Sequence, residues 1–78
     1  MSSQNKLARA RARIAFNLRD LRLKSGLPQD MLSANAGISQ TFFSQVETGK
    51  RNISVDTLER IADALGVDVV DLLQPLPV

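Results

Sequence analysis

The stretch that decides the fold is Gln29-Asp30-Met31-Leu32-Ser33-Ala34-Asn35-Ala36-Gly37-Ile38-Ser39-Gln40-Thr41-Phe42-Phe43-Ser44-Gln45-Val46-Glu47. Gly37, Ile38 and Ser39 read as a tight turn: glycine permits a positive φ, Ile38 can plug a core, and Ser39 is a good helix N-cap. Pro28 is tolerated only at the start of a helix. One helix is therefore expected from about Gln29 to Asn35 and another from Ser39 to about Glu47.

Upstream, Leu7, Ile14, Leu18 and Leu21 recur with Ala10 between them at the three-and-four spacing of one helical face. This predicts a first helix ending near Lys24, and Gly26 can take the left-handed conformation of a helix end. Downstream, Gly49, Lys50, Arg51 and Asn52 form a basic loop. Ser54 then caps a fourth helix carrying Val55, Leu58, Ile61, Ala62 and Leu65, and Gly66 ends it. Asp68 can cap a last short helix through Leu73, with Asp71 in its first turn; Pro75 and Pro77 prevent its continuation. Five short helices without strands describe a compact all-α domain over residues 14–73. Residues 1–13 would be a basic extension of the first helix or an arm, and 74–78 a tail. Two short helices about a glycine turn match the helix-turn-helix unit, which sets its second helix into the DNA major groove.

Composition narrows the function. Seventy-eight residues, 44% hydrophobic and 23% charged, fit one packed core. Zero cysteine removes disulfides, thiolate metal sites and a Cys nucleophile, and zero histidine removes the commonest general base. No catalytic residue, metal site or cofactor is expected. The net charge of +2 hides an asymmetry: through Arg51 nine basic residues face three acids, whereas from Asn52 onward Arg60 alone faces five. A basic front and an acidic back point to a polyanion, with nucleic acid the first candidate. No apolar run approaches the roughly 18 to 20 residues of a membrane span, so a cytoplasmic chain is expected.

The run Gln29 to Ser39, with Phe43, Val46-Glu47 and Gly49-Lys50-Arg51, resembles the phage repressor and Cro-like (XRE-type) helix-turn-helix family of transcriptional regulators. That family's pattern has a glutamine opening helix two, Leu-Ala within it, Gly-Val/Ile-Ser at the turn, and a glutamate and glycine closing the recognition helix. The resemblance covers roughly Ile14 to Leu73, including Leu58 to Val67, and implies a lambda-repressor-like five-helix fold. Two positions depart from it. Ser33 stands where alanine is usual, and Pro28 stands where Ser or Thr usually caps helix two, so that cap is lost. The resemblance also implies a structural pair of Arg22 with Glu47, tying the first helix to the recognition helix. A solvated pair would be worth little, but breaking a buried one costs about 3–5 kcal/mol.

With Phe43 and Val46 facing inward, a helical repeat of about 100° per residue turns Thr41, Ser44, Gln45 and Thr48 outward. The first residues of a recognition helix reach deepest into the groove, which favours Gln40 and Thr41, with Gln45 and Ser44 one turn on. The resemblance implies base contacts at Gln40, Thr41 and Gln45 as well. Glutamine can bond an adenine edge in two places, and the threonine methyl can meet thymine. No arginine lies on this helix, so half-sites leaning towards A·T are expected. Phe42 can pack beside Phe43 or lean on a thymine methyl or sugar. The family pattern implies phosphate contacts from Gln29, Ser39, Lys50, Arg51 and Asn52. Lys6, Arg9, Arg11 and Arg13 form a basic lead-in that either follows the DNA as an arm or is a solvated face.

Val69, Val70, Leu72 and Leu73 give the last helix more apolar surface than one neighbour can hide, so a dimer interface is expected there. A twofold dimer would read a palindromic operator in double-stranded DNA, with half-sites about 34 Å apart. The expected function is that of a homodimeric transcriptional regulator without catalysis, membrane attachment or an evident small-molecule effector. Isoleucine in Arg51-Asn52-Ile53-Ser54, where many relatives carry proline, favours the restriction-modification controller proteins within that resemblance. The competing classes are an antitoxin, which would bind a protein toxin and its own operator, and a protein-interaction module.

Overall fold

A computed structural model describes residues 3–77, with the side chains of residues 9–77. Four α-helices follow one another: α1 (Ser3–Ser25), α2 (Gln29–Ala36), α3 (Gln40–Glu47) and α4 (Val55–Leu65), then a 3₁₀ turn over Val69–Leu72. Among the described residues there is no strand. The all-α class is as the sequence implies; the fifth helix is not. Asp68 does cap the terminal element, accepting from Val70 N at 2.9 Å, while Asp68 N donates to Asp71 Oδ2 at 3.2 Å. A box this tight closes a single turn, and Pro75 and Pro77 beyond it can contribute no N–H to further helix.

α1 runs 23 residues because alternating alanine and arginine, both strong helix formers, carry it through residues 8–13. The basic lead-in is thus helical from Ser3 onward; the side chains of Lys6 and Leu7 lie outside the described residues. α2 begins without a side-chain cap, Pro28 standing at the N-cap position. Its other end is firmer. Gly37 adopts φ +73° and its N–H donates to Ala34 O at 3.1 Å, while Ile38 N donates to Ser33 O at 3.0 Å. This closed turn needs the left-handed conformation that glycine takes without a Cβ clash. Ser39 Oγ then accepts from Phe42 N at 3.1 Å and starts α3. The hinge between α2 and α3 is fixed at both sides.

All five elements and the loops between them close over one core. Leu18, Leu32, Phe43, Ile61 and Leu72 have no exposed surface, and Ala36, Val46, Leu58 and Ala62 fill the spaces between them. Each fully buried large side chain contributes about 1.5–3 kcal/mol of transfer free energy. Ser33 replaces the usual alanine at little cost, because its hydroxyl donates to Asp30 O at 3.1 Å inside the buried α2 face.

Leu72, expected at a dimer interface, is instead part of this core. The backbone around it is stapled by Asn17, a buried residue of α1 whose Nδ2 donates to Leu72 O at 3.2 Å and to Gln74 O at 2.8 Å. One amide thereby satisfies two carbonyls that the short turn cannot. Replacing Asn17 by alanine orphans both and is expected to cost about 1–3 kcal/mol, read by urea unfolding followed at 222 nm. A loss below about 0.5 kcal/mol, the range of ordinary surface substitutions, would contradict the staple.

Candidate nucleic-acid interface

α3 has one buried and one open face. Phe43, Val46 and Glu47 turn inward, Gln40 and Thr41 are exposed, and Ser44 and Gln45 are half-buried. The open residues share a shallow recess with Gln29 from the start of α2, so five sequence-predicted positions come together on one surface. Thr48 is exposed at the end of this face, but its hydroxyl already donates to Ser44 O and Gln45 O. The recess is uncharged and rich in amide and hydroxyl groups, the chemistry that reads base edges.

Beneath it lies a tightly bonded polar cluster. The Glu47 carboxylate closes α3 with its side chain only 2% exposed, at the negative pole of the helix dipole. Arg22 answers it with two parallel bonds, from Nε to Oε2 and from Nη2 to Oε1, the latter at 3.2 Å, and Nη1 donates to Leu27 O at 3.2 Å. Gln29 Nε2 supplies a further donor to Oε1 at 2.7 Å. α1, α2 and α3 thus converge on one carboxylate, and Arg22 also holds the α1–α2 loop through Leu27 O. Gln29 is committed in part: one amide hydrogen is held by Glu47, leaving the other hydrogen and the amide oxygen for an external group.

The loop after α3 carries exposed Lys50, Arg51 and Asn52. The Arg51 guanidinium lies over the Phe42 ring, 5.1 Å from its centroid. Phe42 is half-buried against the core, so its inner edge packs while its outer face holds a cation. Within the basic lead-in, Arg9 is exposed, and Arg11 and Arg13 are half-buried. Of the remaining apolar residues expected at a subunit interface, Val69 packs against the core while Val70 and Leu73 stay open, at 53% and 38% exposure. Among the described residues no group of three carboxylates gathers into a metal site, and no helix is long and apolar enough to cross a membrane.

The Gln29–Glu47 bond, the Arg51–Phe42 contact and the Asn17 staple could not be read from the sequence. Only Asn17 left a signal, a lone amide between Phe16 and Leu18 in the apolar stretch of α1.

The helix-turn-helix family model matches residues 18–72. The chain is 42% identical over 62 residues to the HTH-type transcriptional regulator y4dJ of Sinorhizobium fredii, covering 80% of each chain. It is 42% identical over 57 residues to the control protein C.BamHI of Bacillus amyloliquefaciens, covering 72% of this chain and 70% of that one. Among solved structures, the hypothetical transcription factor NHTF from Neisseria superposes with a TM-score of 0.81 at 38% identity, over 85% of this chain and 76% of that one.

The buried cluster sets its own test. Glu47→Ala leaves Arg22 buried without its partner and is expected to cost about 3–5 kcal/mol, enough to leave so small a domain largely unfolded near 37 °C. The double replacement Arg22→Met with Glu47→Leu removes both charges and should recover most of that loss in urea unfolding. Equal instability of the single and double variants would show that the pair does not act as a unit.

Proposed function

The chain belongs to the helix-turn-helix family of transcriptional regulators, and on that premise we propose that it binds double-stranded DNA as a homodimer and reads a palindromic operator through the major groove. The open, uncharged face of α3 carries this reading. Gln40, Thr41, Ser44 and Gln45 contact bases, with half-sites leaning towards A·T because α3 offers no arginine for bidentate guanine recognition. Ser39, Lys50, Arg51, Asn52 and the uncommitted part of the Gln29 amide contact phosphates and set register. Ser39 fits this role because its oxygen accepts from Phe42 N while its hydroxyl hydrogen stays free to donate.

Val70 and Leu73, with the open edge of Val69, form the apolar contact between subunits. A twofold dimer built on them sets two copies of α3 about 34 Å apart, one turn of duplex. Occupancy then follows the protein's own concentration through the monomer–dimer equilibrium. Similarity to C.BamHI favours a controller of a restriction-modification operon over an antitoxin.

Enrichment of random duplexes on the purified protein near physiological salt, with the stoichiometry of the selected complex, tests the reading. A palindrome bound by two subunits is the expected result; a folded sample that enriches nothing would overturn it. Replacing Gln40, Thr41 and Gln45 together by alanine should abolish selection while leaving the helical signal at 222 nm intact. Replacing Lys50 and Arg51 by glutamine should instead weaken binding on all sequences alike. The log–log salt slope should then fall by about 0.9 for each phosphate that is no longer neutralised.

A further inference from the structure

We infer that Arg11 of α1 and Arg51 of the α3–α4 loop form a two-guanidinium clamp for a single backbone phosphate of bound DNA, with the Phe42 ring bracing Arg51. The inference rests on the DNA-binding reading and adds to it a site that the helix-turn-helix unit itself does not contain.

Helical phase singles out Arg11. At about 100° per residue, Arg11, Ile14, Ala15, Leu18 and Arg22 fall along one stripe of α1. Ala15 and Leu18 on that stripe are buried and Arg22 is bonded to α3, so the stripe faces α3 and its following loop. Arg9 and Arg13 lie on the opposite side of the same helix. The loop comes close because Gly49 takes φ +75°; a methyl group there would stand 3.8 Å from Ala15 Cβ and 4.0 Å from Arg11 O. Any other residue at Gly49 would be strained in this conformation.

Between α1 and the loop lies a cleft of about 310 Å³. Ile14, Val46 and Ile53 line it with apolar surface, and Arg11, Arg51 and Asn52 line it with donors. Among the described residues neither guanidinium has a carboxylate partner, both ion pairs lying elsewhere. Both side chains line this one partly apolar cleft, and an anion bound at it offsets the repulsion between their positive charges. A phosphodiester matches the donor set, since planar guanidinium forks meet phosphate oxygens two at a time and the Asn52 amide adds a neutral donor.

Phe42 makes the clamp ready in advance. A guanidinium held over the ring leaves N–H groups free to donate, and fewer rotamers remain to be frozen when the phosphate arrives. Because Phe42 follows Thr41 directly, the brace also links the clamp to the reading face of α3. Phe42 is in this respect a positioning residue that acts through Arg51.

Phosphate-ethylation interference on the selected duplex, with affinity followed against salt, tests the clamp. Arg11→Gln and Arg51→Gln should each lower the salt slope by about 0.9 and abolish interference at one and the same phosphate. Arg60→Gln, an equal loss of charge on α4, should do neither. Phe42→Leu should weaken interference at that phosphate, and Phe42→Tyr, which keeps the ring, should retain it; matching helical signals exclude misfolding as the cause. Interference abolished at two different phosphates, or an Arg11→Gln protein with the wild-type slope and pattern, would overturn the clamp while leaving sequence-selective binding intact. A wild-type chain that binds no duplex would overturn both readings.

Discussion

The buried Glu47 carboxylate is the constraint on which the rest depends. An acid at the negative end of a helix, almost wholly withdrawn from water, is doubly unfavourable unless donors surround it. Arg22 and Gln29 supply three N–H groups, and they can do so only if α1, α2 and α3 stand in one relative orientation. Hydrophobic packing alone tolerates small shifts of one helix against another, whereas three directional bonds to one carboxylate do not. The angle at which α3 presents its open face is therefore set from behind by Glu47 and Arg22, with Gln29 joining them from the edge of that face. The same bonds orient Gln29, so the start of α2 and the open face of α3 act as one rigid unit.

Charge is then divided by position. The open face of α3 is neutral, the loop and α1 beside it are basic, and the acids gather in α4 and the terminal turn. Flanking cations hold a polyanion without regard to its sequence, while neutral amides and hydroxyls discriminate between base edges. An arginine in the middle of α3 would mix the two roles. Arg51, with its guanidinium over the Phe42 ring, lies outside the recess on the open face of α3 and preserves the separation.

Much of this was legible in the residues, and the limits have physical causes. Gly37 with Ser39, and Ser54 with Gly66, mark helix ends by backbone chemistry that acts within a few residues, so spacing alone located α2, α3 and α4. The outward set Thr41, Ser44, Gln45 and Thr48 followed from the inward set Phe43 and Val46 by helical phase, and Gln40 joined it by its place at the start of the helix. Bonds between elements were not legible in that way. The Arg22–Glu47 pair was reached only through family resemblance, and the bonds from Gln29 to Glu47 and from Asn17 to Leu72 O and Gln74 O join residues far apart in the chain. Leu72 misled for a related reason: four apolar residues in a short segment do not reveal which of them turns inward, and a 3₁₀ turn sends Leu72 to the core while Val70 and Leu73 stay open.

That α3, fixed from behind by Glu47, is the surface that meets DNA is tested most directly by titrating the isotope-labelled protein with its selected duplex and following every backbone amide by two-dimensional NMR. The largest shifts are expected on residues 39–45 and on Lys50 to Asn52, with the Leu58 to Leu65 stretch of α4 nearly unmoved. Shifts concentrated on α4 and the terminal turn, with α3 silent, would contradict it.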